Sequence, residues 1–147
     1  MIRISHRGNV SGRNEKRENT IGYIKEAALL GYDVEIDVWW DNGFWLGHDD
    51  PSQAISLDFL EHGPWWIHCK NMQALARLSA TRLRYFWHEE DRYTITSNGY
   101  VWAYPGMPID DIAGCNAILV VKDQGPNVHP LLIGYSGVCS DYIKNYD

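Results

Sequence analysis

Glu35 and Asp37 stand in the run Val34-Glu35-Ile36-Asp37-Val38, where apolar and acidic residues alternate. Alternation with a period of two marks a β-strand, on which successive side chains point to opposite faces. The two carboxylates therefore share one face and repel each other unless a cation lies between them. A hard divalent cation such as Mg²⁺ or Ca²⁺ takes oxygen ligands of this kind. Asp41-Asn42-Gly43 supplies a turn, with a glycine for a positive φ, and Phe44-Trp45-Leu46 returns as a short strand that carries His48 back toward the carboxylates. Acids on a solvated strand face are ordinary by themselves. A histidine beside them adds a group that exchanges protons near neutral pH.

The elements around this run must position it. Ile2 to Ser5 reads as a short strand that ends at His6-Arg7-Gly8, where the glycine permits a sharp turn or the close approach of a ligand to the backbone. Asn9 to Arg17 is a polar loop. Ile21, Ile24, Ala27, Ala28 and Leu29 have helical spacing, so a helix is predicted from Thr20 to Leu30, capped by Asn19 or Thr20 and closed by Gly31. Glu18 serves equally as a partner of the helix dipole or as a member of the site. Strand, helix and strand in succession favour a parallel sheet. His6, Glu35, Asp37 and His48 then lie at or beyond C-terminal strand ends, which is the catalytic face of a (β/α) barrel.

Further along, Ser56 caps a short helix, Leu57 to His62, which Gly63-Pro64 ends. Trp65 to Lys70 is the next strand, with Trp66, His68 and Lys70 on one face and Trp65, Ile67 and Cys69 on the other. Asn71 caps a helix from Met72 to about Thr81. Arg84 to His88 reads as a strand, followed by a solvated acidic loop, Glu89-Glu90-Asp91. Helices then become scarce. Tyr100 to Tyr104, Ala117 to Val121 ending at Lys122-Asp123, Leu131 to Tyr135, and Gly137 to Asp141 are the remaining candidate strands. The expectation is seven or eight strands with two helices of good length, and no internal repeat or linker.

The chain has 147 residues, 45% of them hydrophobic, which suits one domain over residues 1–147 with its own core. A formal charge of −6 speaks against a nucleic-acid partner, which calls for a basic stripe. An anionic substrate would need local positive charge from Arg, Lys or a metal. Cys69, Cys115 and Cys139 are odd in number and sit in or near apolar runs, as buried thiols in a reducing compartment would. The first residues lack the apolar core of a signal peptide, and no run approaches the ~20 apolar residues of a membrane span. A soluble, cytoplasmic protein is expected.

Taken together, His6-Arg7-Gly8, Glu18-Asn19-Thr20, Glu35-x-Asp37-Val38 and His48-Asp49 resemble the N-terminal half of a glycerophosphodiester phosphodiesterase. The likeness is strongest from residue 4 to 50. It is weaker at Trp66 to Lys70 and Gly137 to Asp141, which resemble later strand ends of that family. The resemblance implies a TIM-barrel-like fold and divalent-metal cleavage of a small-molecule phosphodiester. It also implies His6 and His48 as the acid/base pair and Glu35 and Asp37 as metal ligands. Arg7 and Lys70 are candidates for the phosphate oxygens, with Glu18, Asp49 and Asp141 in support.

Two departures shape the expectation. A TIM barrel typically has ~250 residues and about 200 at the short end. The fold expected is therefore α/β, a shortened or incomplete TIM-like (β/α) barrel with few outer helices in its C-terminal half. Such a barrel leaves flanks for a second copy of the chain to cover. The family pattern on the third strand is a Glu followed two residues later by a Lys. Here Lys70 is kept and His68 stands in place of the Glu. An imidazole ligand brings Mn²⁺ or Zn²⁺ into range beside Mg²⁺ and Ca²⁺. Alternatively Glu89, Glu90 or Asp141 completes the shell, or His68 only hydrogen-bonds Asp37. Two other functions compete: a cyclising lyase of the sphingomyelinase D or phosphatidylinositol phospholipase kind, and a non-catalytic binding protein on a degraded barrel.

Overall fold

The alternating run around Glu35 and Asp37 forms the longest strand, and a mixed sheet is built outward from it. The structure, a computed structural model, describes residues 1–121 and 132–147. Its elements are β1 (Ile2–His6), α1 (Ile21–Leu29), β2 (Asp33–Trp40), β3 (Phe44–Leu46), β4 (Gln53–Ile55), α2 (Leu57–Glu61) and β5 (Trp65–Cys69). They continue with α3 (Met72–Leu78), β6 (Tyr85–Phe86), β7 (Tyr93–Ile95), β8 (Val101–Ala103), β9 (Ala117–Val121) and β10 (Gly137–Ser140). Short 3₁₀ turns occupy Ile109–Ile112 and Ile143–Tyr146. Each α-helix starts at its sequence cap: the Thr20, Ser56 and Asn71 side chains accept from the backbone N–H groups of Tyr23, Phe59 and Ala74.

β6, β5, β2, β1, β10, β9 and β8 pair in that order, all parallel. β3 joins β2 antiparallel, β4 joins β3, and β7 joins β8. Val34, Ile36, Val38, Trp65, Ile67 and Cys69 face outward and pack against Ile24 and Ala27 of α1 and Ala74 and Leu78 of α3. The opposite face gathers Ile4, Trp66, Phe86, Trp102, Ile118, Val120 and Cys139, from six strands, into one cluster. Phe86 of β6 and Trp102 of β8 stack there at 4.7 Å, so the sheet curls until side chains from its two ends meet.

The ladder does not close into a ring. Among the described residues no strand pairing joins β6 to β8. Single bonds tie the edge instead: Ser97 N–H to Tyr85 O (2.8 Å), Tyr85 N–H to Ser97 Oγ (2.9 Å) and Thr94 Oγ1 to Trp87 O (2.8 Å). The fold is thus mixed α/β, with a ten-stranded sheet and few helices. The strand expected from Arg84 to His88 is confined to Tyr85–Phe86, because Trp87 and His88 leave the sheet for the cleft described below. Among the described residues these two pair with β5 on one side but with no strand on the other.

Other expectations also need correction. Leu132 to Tyr135 form a turn, closed by Tyr135 N–H to Leu132 O at 3.1 Å, and not a strand. Leu131, like Lys122 and Asp123, lies outside the described residues. β4 went unforeseen because Gln53-Ala54-Ile55 is short and shows no alternation; its pairing with β3 defines it. Cys69 and Cys139 are buried as expected, but Cys115 is exposed, since it lies in the turn ahead of β9 and not on a core face. In the C-terminal half, Ile112, Ile143, Tyr32 and Tyr135 cover the outer sheet face where a barrel would carry helices. Among the described residues no helix is long and apolar enough to cross a membrane.

Candidate active site

Register brings the candidate residues side by side. His6 at the end of β1 pairs with Glu35 on β2, and Asp37 pairs with His68 on β5. Neighbouring strands lie about 4.8 Å apart, and in-register residues put their side chains on the same face. Glu35, Asp37 and His68 accordingly each offer one ligand atom within 4.8 Å of the others, and all three are buried.

Asp37 is the most heavily engaged. Its Oδ2 accepts from Asn19 Nδ2 at 2.8 Å, while Asn19 Oδ1 takes the Asp37 backbone N–H at 2.9 Å. Arg7 Nε forms an ion pair with the same Oδ2 at 2.8 Å, though without hydrogen-bond alignment. Oδ1 accepts from His68 Nδ1 at 2.9 Å and has Lys70 Nζ at 3.7 Å. Burial alone would raise the Asp37 pKa, but the His68 hydrogen bond and the charges of Arg7 and Lys70 override it and hold the carboxyl well below the usual range. In return Asp37, Glu35 and Glu18 raise the Arg7 pKa against its own burial.

The two residues that grip Asp37 from the loop have unusual backbones. Arg7 has φ 55° and Asn19 φ 56°, a left-handed region that side chains other than glycine seldom occupy. Gly8 follows at φ 93°, and a Cβ there would come within 2.8 Å of Tyr23 Cδ1. The glycine therefore serves the turn and its packing on α1. This turn aims the Arg7 guanidinium at Asp37 and at Glu18 (3.3 Å), and Arg7 also lines the cleft where a grip on phosphate was expected. Glu18 also meets Asn9 Nδ2 at 2.8 Å and Arg13 Nε at 3.4 Å, so it supports the site.

Glu35 is only 3% exposed, and its Oε2 has no hydrogen-bond partner. The nearest cationic candidates are His6 Nε2 at 3.8 Å from Oε2 and His68 Nδ1 at 3.9 Å from Oε1. His6 Nδ1 donates to Asp141 Oδ1 at 2.7 Å. Burial would raise the Asp141 pKa, but hydrogen bonds from His6 and Asn9 lower it below its usual value, so the carboxylate is ionised and the ring supplies the hydrogen. His6 Nε2 is left on the Glu35 side.

These groups line a cleft of about 300 Å³ that reaches His6, Glu35, His48, His68 and Lys70. His48 differs from the rest. Its side chain is 42% exposed, and its Nδ1 bonds Asp49 Oδ1 at 2.7 Å, with Asp49 itself 91% exposed. It stands at the rim and does not join the buried cluster, although it lines the same cleft. Gly47 sets its place: φ is 151°, any Cβ would collide with the Asp50 carbonyl, and the Gly47 carbonyl accepts from Trp39 Nε1 at 2.6 Å.

On the opposite wall the His68 ring lies parallel to Phe86 (5.2 Å, 1°) and to His88 (4.4 Å, 5°), and its Nε2 faces the His88 carbonyl at 3.4 Å. His88 Nε2 in turn meets the Tyr104 hydroxyl. Burial and the negative charge of Glu35 push the Tyr104 phenol up, so it remains a donor. Cys69 also borders the cleft, but burial pushes its thiol up to about 12 and keeps it neutral. Glu89, Glu90 and Asp91 are exposed, with Glu89 at the cleft, and Asp141 bonds His6; among the described residues the grouped ligand atoms are those of Glu35, Asp37 and His68.

Four contributors were not singled out by sequence reasoning. Asn19 reads as a helix cap, a task that Thr20 performs instead. Asn9 sits in a polar loop with no pattern to mark it. His88 and Tyr104 carried a usable signal, since each shares strand parity with an aromatic residue of its own run, Phe86 and Trp102. Comparison of the chain with protein-family models, with curated proteins and with solved structures finds no match to any of them. The likeness to the phosphodiesterase family therefore rests on sequence motifs alone, strongest from residue 4 to 50.

Proposed function

We propose that the cleft binds a divalent cation and cleaves a small phosphodiester. One observation carries this reading: Glu35 Oε2, buried and without a hydrogen-bond partner, in a cluster with Asp37 and His68. A buried charged acceptor left unsatisfied is costly, and a cation beside it removes that cost. Two oxygen donors and one nitrogen donor suit Mn²⁺ or Zn²⁺ as well as Mg²⁺. When bound, such a cation offsets phosphate charge and polarises a phosphoryl oxygen. The parallel strand run, with these residues toward its C-terminal ends, supports a shortened TIM-like barrel as the underlying architecture.

The chain's own groups then divide the work. Lys70 borders the cleft and acts as a point charge for a phosphate oxygen. Arg7 neutralises Asp37 and, lining the cleft itself, adds a second positive charge for the phosphate. Asp141 holds the His6 ring so that Nε2 faces the reacting atoms and takes a proton from the attacking hydroxyl, or returns one to the leaving oxygen. His48 reaches the cleft from the rim as the second proton carrier. The attacker is water, or a neighbouring hydroxyl of the substrate, which gives a cyclic phosphate.

A second reading has its own support. Asp37 is already satisfied by Asn19, Arg7, His68 and Lys70, an arrangement that is stable without metal and suits a non-catalytic binding protein. Phosphorus NMR of a glycerophosphodiester incubated with the protein and Mn²⁺ separates the possibilities, because monoester and cyclic phosphate have distinct signals. Turnover should fall at least about a hundredfold in His6→Ala and in His48→Ala. Activity within a few-fold of wild type in either variant would refute that residue's assignment, and no turnover by the wild type would favour the binding protein.

A further inference from the structure

Asn9 is fully buried in the loop that leaves β1, and every polar group it has is used. Its side-chain amide nitrogen gives one hydrogen to Asp141 Oδ1 and the other to Glu18 Oε1, both at 2.8 Å. Its side-chain oxygen accepts from Asn14 N–H at 3.0 Å. Its own N–H goes to the His6 carbonyl at 2.9 Å, and its carbonyl takes the Ser5 hydroxyl at 2.8 Å. The two carboxylates lead to different halves of the site. Asp141 fixes His6, whereas Glu18 meets Arg7, which pairs with Asp37.

We propose that Asn9 is a positioning residue that couples the two halves, setting with one amide both the orientation of His6 and that of the Arg7–Asp37 pair. The reason lies in the donor count. Asp141 Oδ1 sits between His6 Nδ1 and Asn9 Nδ2, and without the second donor the carboxylate can turn about its own bond. The His6 ring then loses its fixed partner and its single tautomer. On the other side, among the described residues Glu18 without Asn9 is held by Arg7 and Arg13 alone, at the longer distances of 3.3 and 3.4 Å, so the Arg7 side chain gains freedom beside Asp37. Among the described residues no other side chain donates hydrogen bonds to both of these carboxylates. The catalytic consequence rests on the phosphodiesterase reading, but the coupling itself does not.

Nitrogen-15 NMR on the metal-free, substrate-free protein tests the coupling independently of any activity. In wild type the two Asn9 amide hydrogens should give separate, slowly exchanging signals; a single averaged, rapidly exchanging signal would overturn the proposal before any variant is made. At mildly alkaline pH the His6 ring should show the Nδ1–H tautomer, and Arg7 Nε–H should be protected. Asn9→Ser should mix the His6 tautomers and expose Arg7 Nε–H together. Asn9→Asp, which keeps the shape and replaces the donor by an acceptor, should do the same. Asp141→Asn should disturb the His6 signal alone, and Glu18→Gln the Arg7 signal alone. A folded Asn9 variant that moves only one of the two signals, or neither, would refute the coupling. If the wild type cleaves a phosphodiester, kcat in Asn9→Ser should fall about 10- to 100-fold with KM nearly unchanged. If it cleaves none, the phosphodiesterase reading fails and the two NMR signals still decide the coupling.

Discussion

Replacing Glu35 by Gln should have opposite effects on stability with and without metal. In the metal-free protein Glu35 Oε2 is buried and without a hydrogen-bond partner, with His6 Nε2 at 3.8 Å. An unsatisfied buried acceptor costs about 1–3 kcal/mol, and more when charged. Glu35→Gln keeps the shape and drops the charge, so the metal-free variant should melt no lower than wild type and up to a few degrees higher, at about 3 °C per kcal/mol for a chain of this size. Metal reverses the order. A cation present at about 100 times its Kd stabilises the protein that binds it by about 2.7 kcal/mol, or roughly 8 °C. The variant, having lost a charged ligand, should show little of that gain. Scanning calorimetry after chelation, then with Mn²⁺ restored, reads both arms. The variant should be at least as stable as wild type without metal, and the less stable with it. A metal-free variant melting far below wild type would mean that Glu35 is stabilised as a charge by its surroundings. Equal metal-induced shifts in the two proteins would mean that Glu35 is not a ligand. Either result refutes the reasoning.

Asp37→Asn leaves Arg7 and Lys70 beside a neutral amide, and removing one partner of a buried pair should cost about 3–5 kcal/mol in denaturant melts. The folded Asp37 pKa lies below its unfolded value of about 3.9, so its contribution is complete above that pH and is lost as the pH falls further. Asp141 acts in the same direction, and the acid limb of the stability curve should be shallower in Asp37→Asn than in wild type. His68→Glu supplies a third oxygen donor, and calorimetric titration should show tighter Mg²⁺ binding than in wild type; equal Mg²⁺ affinity would remove His68 from the metal's shell. Iodoacetamide on the native protein should alkylate Cys115, while Cys69 and Cys139 react only after unfolding; peptide mass spectrometry distinguishes them.

Much of the site was legible because its signals are local. A period of two in Val34 to Val38 puts Glu35 and Asp37 on one face wherever the strand lies, and the same parity joins His68 to Lys70. Thr20, Ser56 and Asn71 mark helix starts through bonds that span three residues. Strand order and register lie beyond such patterns. Only the sheet puts His68 beside Asp37, through the pairing of β5 with β2. Only the neighbouring of β1 and β10 joins His6 to Asp141, 135 positions apart in the chain. Arg7 was a candidate for phosphate because a guanidinium suits it, and only the folded turn at Arg7 and Gly8 reveals that the group also pairs with Asp37. His48 was expected at the carboxylates, yet the turn at Gly47 leaves it at the rim. Asn9 carries no pattern at all, and the motif and cap signal at Asn19 does not point to Asp37; their roles arise because each amide meets a carboxylate brought from another strand or loop. The alternation of side chains is a property of the local backbone and can be read from sequence, whereas which carboxylate an amide meets depends on contacts that form only when the sheet assembles.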